Sequence, residues 1–229
     1  MLRPKKKVTK KEIKTDSLVT GYFEAQAWYS EHKTLMKGIA LGIVGLVTTM
    51  VVVLNNIRAE TESATAELGK VLPYYDQGNY EVALNGNPSE NIRGLRDIVN
   101  DYGNTNPGEM AKLYLANSYY YLKQYDKALE YYQDTDLDDP LLMAAAYSGA
   151  GACLEIKGEY GEAAVLFEKA ASLQTIDSYR AEQLHHAARN FAAAGNRQKA
   201  VELYKRITKE YPTSIYARDA ERSIAQYSL

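Results

Sequence analysis

Two hydrophobic patterns divide this chain. The first is an unbroken run: from Gly38 to Leu54 no charged residue interrupts a stretch rich in Val, Leu and Ile. About 17 residues at 1.5 Å each reach about 26 Å, the short end of what crosses a bilayer once flanking Leu35 and Met36 contribute. The run therefore predicts a membrane-spanning helix over 35–56. The second pattern follows it. Over 57–229 apolar positions recur at helical spacing, which predicts a single all-α domain of about 170 residues, enough for one real core.

The helical part repeats itself. The motif Ala116-x-x-Tyr119-x5-Tyr125-x-x-Ala128-x-x-x-Tyr132 returns as Gly151-x-x-Leu154-x-x-x-Gly158-x-Tyr160-x-x-Ala163-x-x-x-Phe167. It returns again as Ala188-x-x-Phe191-x-x-x-Gly195-x-Arg197-x-x-Ala200-x-x-x-Tyr204. The alanines are 35 and then 37 residues apart, close to the period of about 34 of a tetratricopeptide repeat. Each repeat is then a pair of helices in which the small residue lets two backbones approach and the aromatic four residues on fills the gap to the next repeat. Since one pair cannot bury its own apolar face, the pairs are expected to stack into an α-solenoid. A degenerate earlier copy, Gly78-x-Tyr80-x-x-Ala83, is interrupted at Asn85-Gly86-Asn87-Pro88, with helix expected to resume at Ser89 and run to Tyr102. Pro140 and Pro212 fall where second helices should stop, and 214–228 reads as a polar-faced helix capping the stack. Tyr80, Tyr119, Tyr125, Tyr132, Tyr160 and Tyr204 are assigned to packing positions of the repeats.

Charge changes the picture at the apolar run. Residues 1–37 carry nine Lys or Arg, among them Arg3, Lys5, Lys6, Lys7, Lys10, Lys11, Lys14, Lys33 and Lys37, against four acids, while the rest carries 18 basic against 25 acidic residues. Basic charge beside a span stays on the cytoplasmic side. This predicts three parts: a cytosolic tail with a juxtamembrane helix over 1–34, the anchor over 35–56, and the repeat domain over 57–229 on the far side. A cleaved signal peptide fits less well, because the leading region is too long and the nearest small-residue pattern, Ala64-Thr65-Ala66, lies well past the run. Trp28 and Tyr29 suit either the headgroup layer or the packing of an amphipathic helix over 18–37. Gly38 and Gly42, extended by Gly45, form a pattern that favours close packing of two membrane helices.

Candidate chemistry is sparse. Cys153 is the one cysteine and sits among small apolar residues as a core filler. His185 and His186 point to different faces of one helix, so a shared metal is disfavoured. Asp134, Asp136, Asp138 and Asp139 lack the rest of a calcium loop, and no nucleophile motif or phosphate-binding loop appears. No enzyme, cofactor or metal site is expected. Binding remains: the register places Met110, Leu113, Asn117, Tyr120 and Tyr121, then Ser148, Glu155 and Ile156, then Glu182, His185 and Arg189 toward a groove for a partner protein or peptide. The other expected partner is the lipid bilayer, not nucleic acid.

The order of parts resembles the YfgM family of bacterial inner-membrane proteins. It is carried by the basic N-terminus, the segment from Val19-Thr20-Gly21-Tyr22-Phe23 to Ser30-Glu31-His32, one Gly-rich anchor and the repeats. The resemblance implies a single-pass protein with a periplasmic repeat domain, ancillary to the SecYEG translocon and to the membrane-anchored chaperone-isomerase PpiD. The expectation is a membrane-anchored scaffold or co-chaperone of the cell envelope. Two others stay open: an adaptor binding one folded partner of the cell-wall or division machinery, and a receptor with cytosolic repeats, which the charge asymmetry opposes.

Overall fold

The computed structural model describes residues 10–227, so the tail cations Arg3, Lys5, Lys6 and Lys7 and the terminal Ser228 lie outside the described residues. Eleven helices are described: α1 (Lys10–Glu31), α2 (Lys33–Asp76), α3 (Tyr80–Asn85), α4 (Leu95–Tyr102), α5 (Asn106–Tyr121), α6 (Tyr125–Asp134), α7 (Pro140–Lys157), α8 (Tyr160–Leu173), α9 (Asp177–Ala193), α10 (Arg197–Glu210) and α11 (Ala217–Tyr227). The chain separates into two compact units, Met1–Asn56 and Ile57–Leu229.

In the first unit the helix expected over 18–37 is interrupted at His32, which stacks on the Trp28 indole at 4.7 Å with its Nδ1 2.9 Å from the Trp28 carbonyl oxygen. The aromatic residue and the break are therefore one local feature. Downstream, Leu35, Ile39, Leu41, Val44, Leu46, Val51 and Leu54 are all exposed. Among the described residues, α2 is the one helix long and apolar enough to cross a membrane.

The second unit is a tetratricopeptide-repeat solenoid. The last turns of α2 bury Ala64, Leu68 and Val71 and lead into α3. The hairpins α5–α6, α7–α8 and α9–α10 follow, and α11 packs on α10. As the sequence implies, α11 buries Ala217 and Ala220 and leaves Arg218, Asp219, Glu221 and Arg222 in solvent.

One turn is used four times. Gly78, Lys123, Gly158 and Gly195 each end a first helix in the left-handed region, with φ of 77°, 59°, 82° and 84°, and each lies five residues before the repeat alanine. At each turn the left-handed residue donates its N–H three residues back, and the next residue donates five residues back. In the third repeat Gly158 bonds Glu155 at 3.0 Å and Glu159 bonds Leu154 at 2.9 Å; in the second, Lys123 bonds Tyr120 and Gln124 bonds Tyr119, both at 2.9 Å. This double bond closes the helix end and sets the direction of the next helix. Lys123 is the copy that lacks glycine's freedom at this position.

The second helix then enters with Ala83, Ala128, Ala163 or Ala200, all fully buried. Four residues on, Tyr132, Phe167 and Tyr204 are buried and reach the next element. Tyr132 lies against Gly149 of α7, where an added Cβ would come within 2.3 Å of the ring. At the equivalent place on α9, Phe167 meets His186 ring to ring at 5.0 Å. Tyr204 stacks on Tyr227 of α11 at 6.5 Å.

Two expectations are corrected. The chain does not become helical at Ser89: Gly86–Asn87 and Ile92–Arg93 form a small antiparallel ladder around a 3₁₀ turn at Pro88–Glu90, and α4 starts only at Leu95. Gly86 and Gly94 sit so close to opposing backbone that a Cβ on either would lie 2.4 Å from a carbonyl oxygen, which ties the ladder to the end of α3. Pro140 does not stop α6, which ends at Asp134; it opens α7 behind the cap Asp139, whose carboxylate accepts from the N–H groups of Leu141 and Leu142 at 2.8 and 3.2 Å. Proline suits the first position of a helix because that N–H has no partner within the helix.

Two substitutions test this architecture with opposite signs. Lys123→Gly is expected to stabilise the protein by about 1 kcal/mol by releasing left-handed strain. Gly149→Ala, which would help an exposed helix by about 1 kcal/mol, is expected to cost about 1–3 kcal/mol through overpacking on Tyr132. Denaturant unfolding of 57–229 measures both.

Candidate functional site

Where Phe167 and His186 meet, the solenoid surface opens. A cavity of about 490 Å³ is lined by Tyr120 of α5, Ser148, Ala152, Glu155 and Ile156 of α7, Tyr160 and Phe167 of α8, and His186 and Arg189 of α9. Its walls mix aromatic and aliphatic side chains with the polar Ser148, Glu155, His186 and Arg189, and Ile156 is half in solvent. Five of the residues predicted for a groove, Tyr120, Ser148, Glu155, Ile156 and Arg189, are brought together here.

The other predicted residues lie elsewhere. Asn117 accepts a 2.6 Å hydrogen bond from the Tyr132 hydroxyl and so fastens α5 to α6. Tyr121 is 55% exposed but stacks flat on Tyr80 of the first repeat at 4.5 Å. Leu113 is buried. His185 packs against Tyr204 at 5.8 Å and Tyr216 at 5.1 Å, on the capping side of α9, and Glu182 lies 3.9 Å from the Nε2 of His186. Adjacent residues on a helix are about 100° apart, so His186 and not His185 faces the cavity. Ala152, Tyr160, Phe167 and His186 are the lining residues not foreseen as groove residues. The signal was present in the register, because His186 is the repeat equivalent of Gly149 and so must meet the wedge aromatic. Tyr160, assigned to packing, is 39% exposed.

Polar ties at the repeat spacing hold the cavity's two walls. Ser148 Oγ donates to Gln183 Oε1 at 2.9 Å, Asn190 Nδ2 donates to Glu155 Oε2 at 3.0 Å, and Arg189 Nη2 donates to Glu155 Oε1 at 2.6 Å. Asn190 is 1% exposed, and its Nδ2 also donates to the His186 carbonyl at 2.9 Å. Both neighbours accept only, which fixes the amide's orientation. The Glu155 carboxylate is thus anchored from below by Asn190, whereas its other partner, Arg189, is exposed. Burial holds both His186 and His185 below the usual imidazole range, with the Arg189 charge adding to it and, for His185, its neighbour His186. The Arg189 guanidinium lies 3.3 Å from His186 Nδ1.

Burial pushes the Cys153 thiol up to about 11, which leaves it protonated and inert. No cluster of three or more His, Cys, Asp or Glu placed to hold a metal occurs among the described residues. The aspartates between α6 and α7 have other work: Asp134 pairs with Lys112 at 2.9 Å and Asp139 caps α7. The Cβ positions of Gly38, Gly42 and Gly45 face open space.

Comparison with known proteins supports the fold. A family profile described as tetratricopeptide repeat matches residues 110–135 and 184–214, the hairpins α5–α6 and α9–α10. The intervening α7–α8 hairpin shares their turn, alanine and aromatic. Two crystal structures of a Podosopora anserina protein described as a putative kinesin light chain with nearly identical TPR-like repeats, one of them a single-residue variant, superpose with TM-scores of 0.53 at 18% identity. Each covers 73% of this chain, and 85% and 86% of the respective solved chains. No curated protein matches the sequence. The class is thereby defined: a helical-repeat scaffold for protein interaction, built on tetratricopeptide repeats.

The buried imidazoles give a pH prediction. Their pKa values are depressed in the folded state, so below about 6.5 the unfolded chain takes up protons that the folded chain refuses. Stability is fully present above that value and falls as the pH drops below it toward the folded-state values. The melting temperature is expected to fall between about pH 7 and pH 5, and to fall less in the His185→Gln/His186→Gln variant.

Proposed function

We propose that this protein is a single-pass, membrane-anchored repeat scaffold of the bacterial cell envelope. Its N-terminus is cytoplasmic, the segment 35–56 is the anchor, and the repeat domain 57–229 is periplasmic. The observation that carries this reading is the helix α2, whose apolar stretch leaves every large side chain exposed, where a soluble protein would bury it. The excess of basic residues before that stretch supports the orientation.

The scaffold's working surface is the groove built around Tyr120, Glu155 and Phe167, and its cargo is extended polypeptide. Tethering raises the local concentration of this groove at the membrane, so a weak peptide interaction suffices. The resemblance to the YfgM family supports a role beside the SecYEG translocon and a PpiD-like chaperone, as a co-chaperone for proteins leaving the channel. Gly38, Gly42 and Gly45 would pack the anchor against another membrane helix. The competing reading, an adaptor for one folded component of the cell-wall or division machinery, calls for a rigid docking face in place of a groove.

Photo-crosslinking from position 121, with Tyr121 replaced by a photoreactive residue in the membrane-embedded protein, tests both the topology and the role. Translocon components, PpiD-like chaperones and unfolded exported chains are the expected adducts. Adducts confined to one cell-wall enzyme would favour the adaptor, and adducts confined to cytosolic proteins would overturn the orientation.

A further inference from the structure

The cavity has a neighbour. A shallower hollow of about 380 Å³ is lined by Gly158, Glu159, Tyr160, Gly161, Glu162 and Ala194, and Tyr160 is a wall of both. Two sets of groups therefore meet at one half-exposed ring: the Tyr120, Ile156 and Phe167 side chains, beside the Glu155–Arg189 pair, on one side, and the Glu159 and Glu162 carboxylates on the other.

The local charges are unevenly committed. Lys157 is taken up within the protein, 3.0 Å from Asp126 and 3.5 Å from Glu159. Arg189 is taken up by Glu155 at 2.6 Å. Glu162 is exposed and has no cationic partner among the described residues. Four carboxylates, those of Asp126, Glu155, Glu159 and Glu162, thus face two cations that are both already paired. A partner bringing a further positive charge meets an uncompensated negative rim, and one bringing a negative charge meets repulsion. Tyr160 adds an aromatic face over which a cation is attracted.

Resting on the polypeptide-binding reading above, we propose that this double surface recognises an extended segment carrying a large apolar residue and, two positions away, an Arg or Lys. In an extended chain, residues i and i+2 point to the same side and lie about 7 Å apart. The apolar side chain fills the cavity between Tyr120 and Phe167, while the cation crosses the Tyr160 ring and settles against Glu159 and Glu162. The groove then discriminates among extended polypeptides and does not merely retain any unfolded chain.

Full-length protein in nanodiscs of zwitterionic lipid, titrated into fluorescent nine-residue Gly/Ser peptides with a central Leu-Ser-Arg, Leu-Ser-Gln or Leu-Ser-Glu, tests the proposal by anisotropy. Leu-Ser-Arg is expected to bind about tenfold more tightly than Leu-Ser-Glu, with Leu-Ser-Gln between them. The gap should shrink at high salt. It should also shrink in the Glu159→Gln/Glu162→Gln variant, in which the three affinities converge. Equal affinity for all three peptides would overturn the charge selectivity while leaving polypeptide binding intact. Absence of binding by any of them would overturn the binding reading itself, and this proposal with it.

Discussion

The second helices α6, α8 and α10 of the solenoid each drive an aromatic ring into the element that follows, and the rest of the structure depends on that wedge. The ring can reach across because an alanine one turn earlier lets its own helix lie close to its partner. Ala128 precedes Tyr132, Ala163 precedes Phe167 and Ala200 precedes Tyr204, all of them buried. A larger residue at the alanine would push the helices apart, and a smaller one at the aromatic would leave a void, so the two positions are constrained together. The four left-handed turns, alike in φ and in hydrogen bonding, close each first helix the same way five residues before the alanine.

The cavity arises where the wedge meets a different partner. Gly149 lets the Tyr132 ring lie against the backbone of α7. His186 presents a ring instead of a hydrogen, and the space beside the Phe167–His186 stack is open to solvent. The groove is thus a local departure in the repeat's own packing rule rather than an addition to it. The ties between Ser148 and Gln183 and between Glu155 and Asn190 keep its walls at a fixed spacing, and their separations of 35 residues show that one repeat period is being bridged.

The repeats were legible in the sequence because alanine and aromatic recur at fixed spacing with glycine before them. Lys123 hid the second copy's turn, since its φ of 59° is a conformation that sequence assigns to glycine. The ladder at Gly86–Asn87 was hidden for a related reason: an interruption such as Asn85 to Pro88 announces a break but not what fills it. Pro140 was ambiguous because proline is tolerated both just after a helix and at its first position, and the deciding residue is the capping Asp139. In the groove, Tyr120, Ser148, Glu155 and Arg189 follow from helix register alone. The choice between His185 and His186 needs a second step, the alignment of His186 with Gly149 one repeat earlier, because it is set by which neighbour each ring meets across the repeat boundary.

A scaffold held by α2, as proposed, works through the groove around Phe167 and not through its surface at large. Photoreactive residues placed singly at Ile156, in the cavity lining, and at Val165, an equally exposed apolar position on α8 outside it, compare the two directly in the membrane-embedded protein. The account predicts polypeptide adducts from Ile156 well in excess of those from Val165. Equal yields from the two positions, or yields favouring Val165, would contradict it.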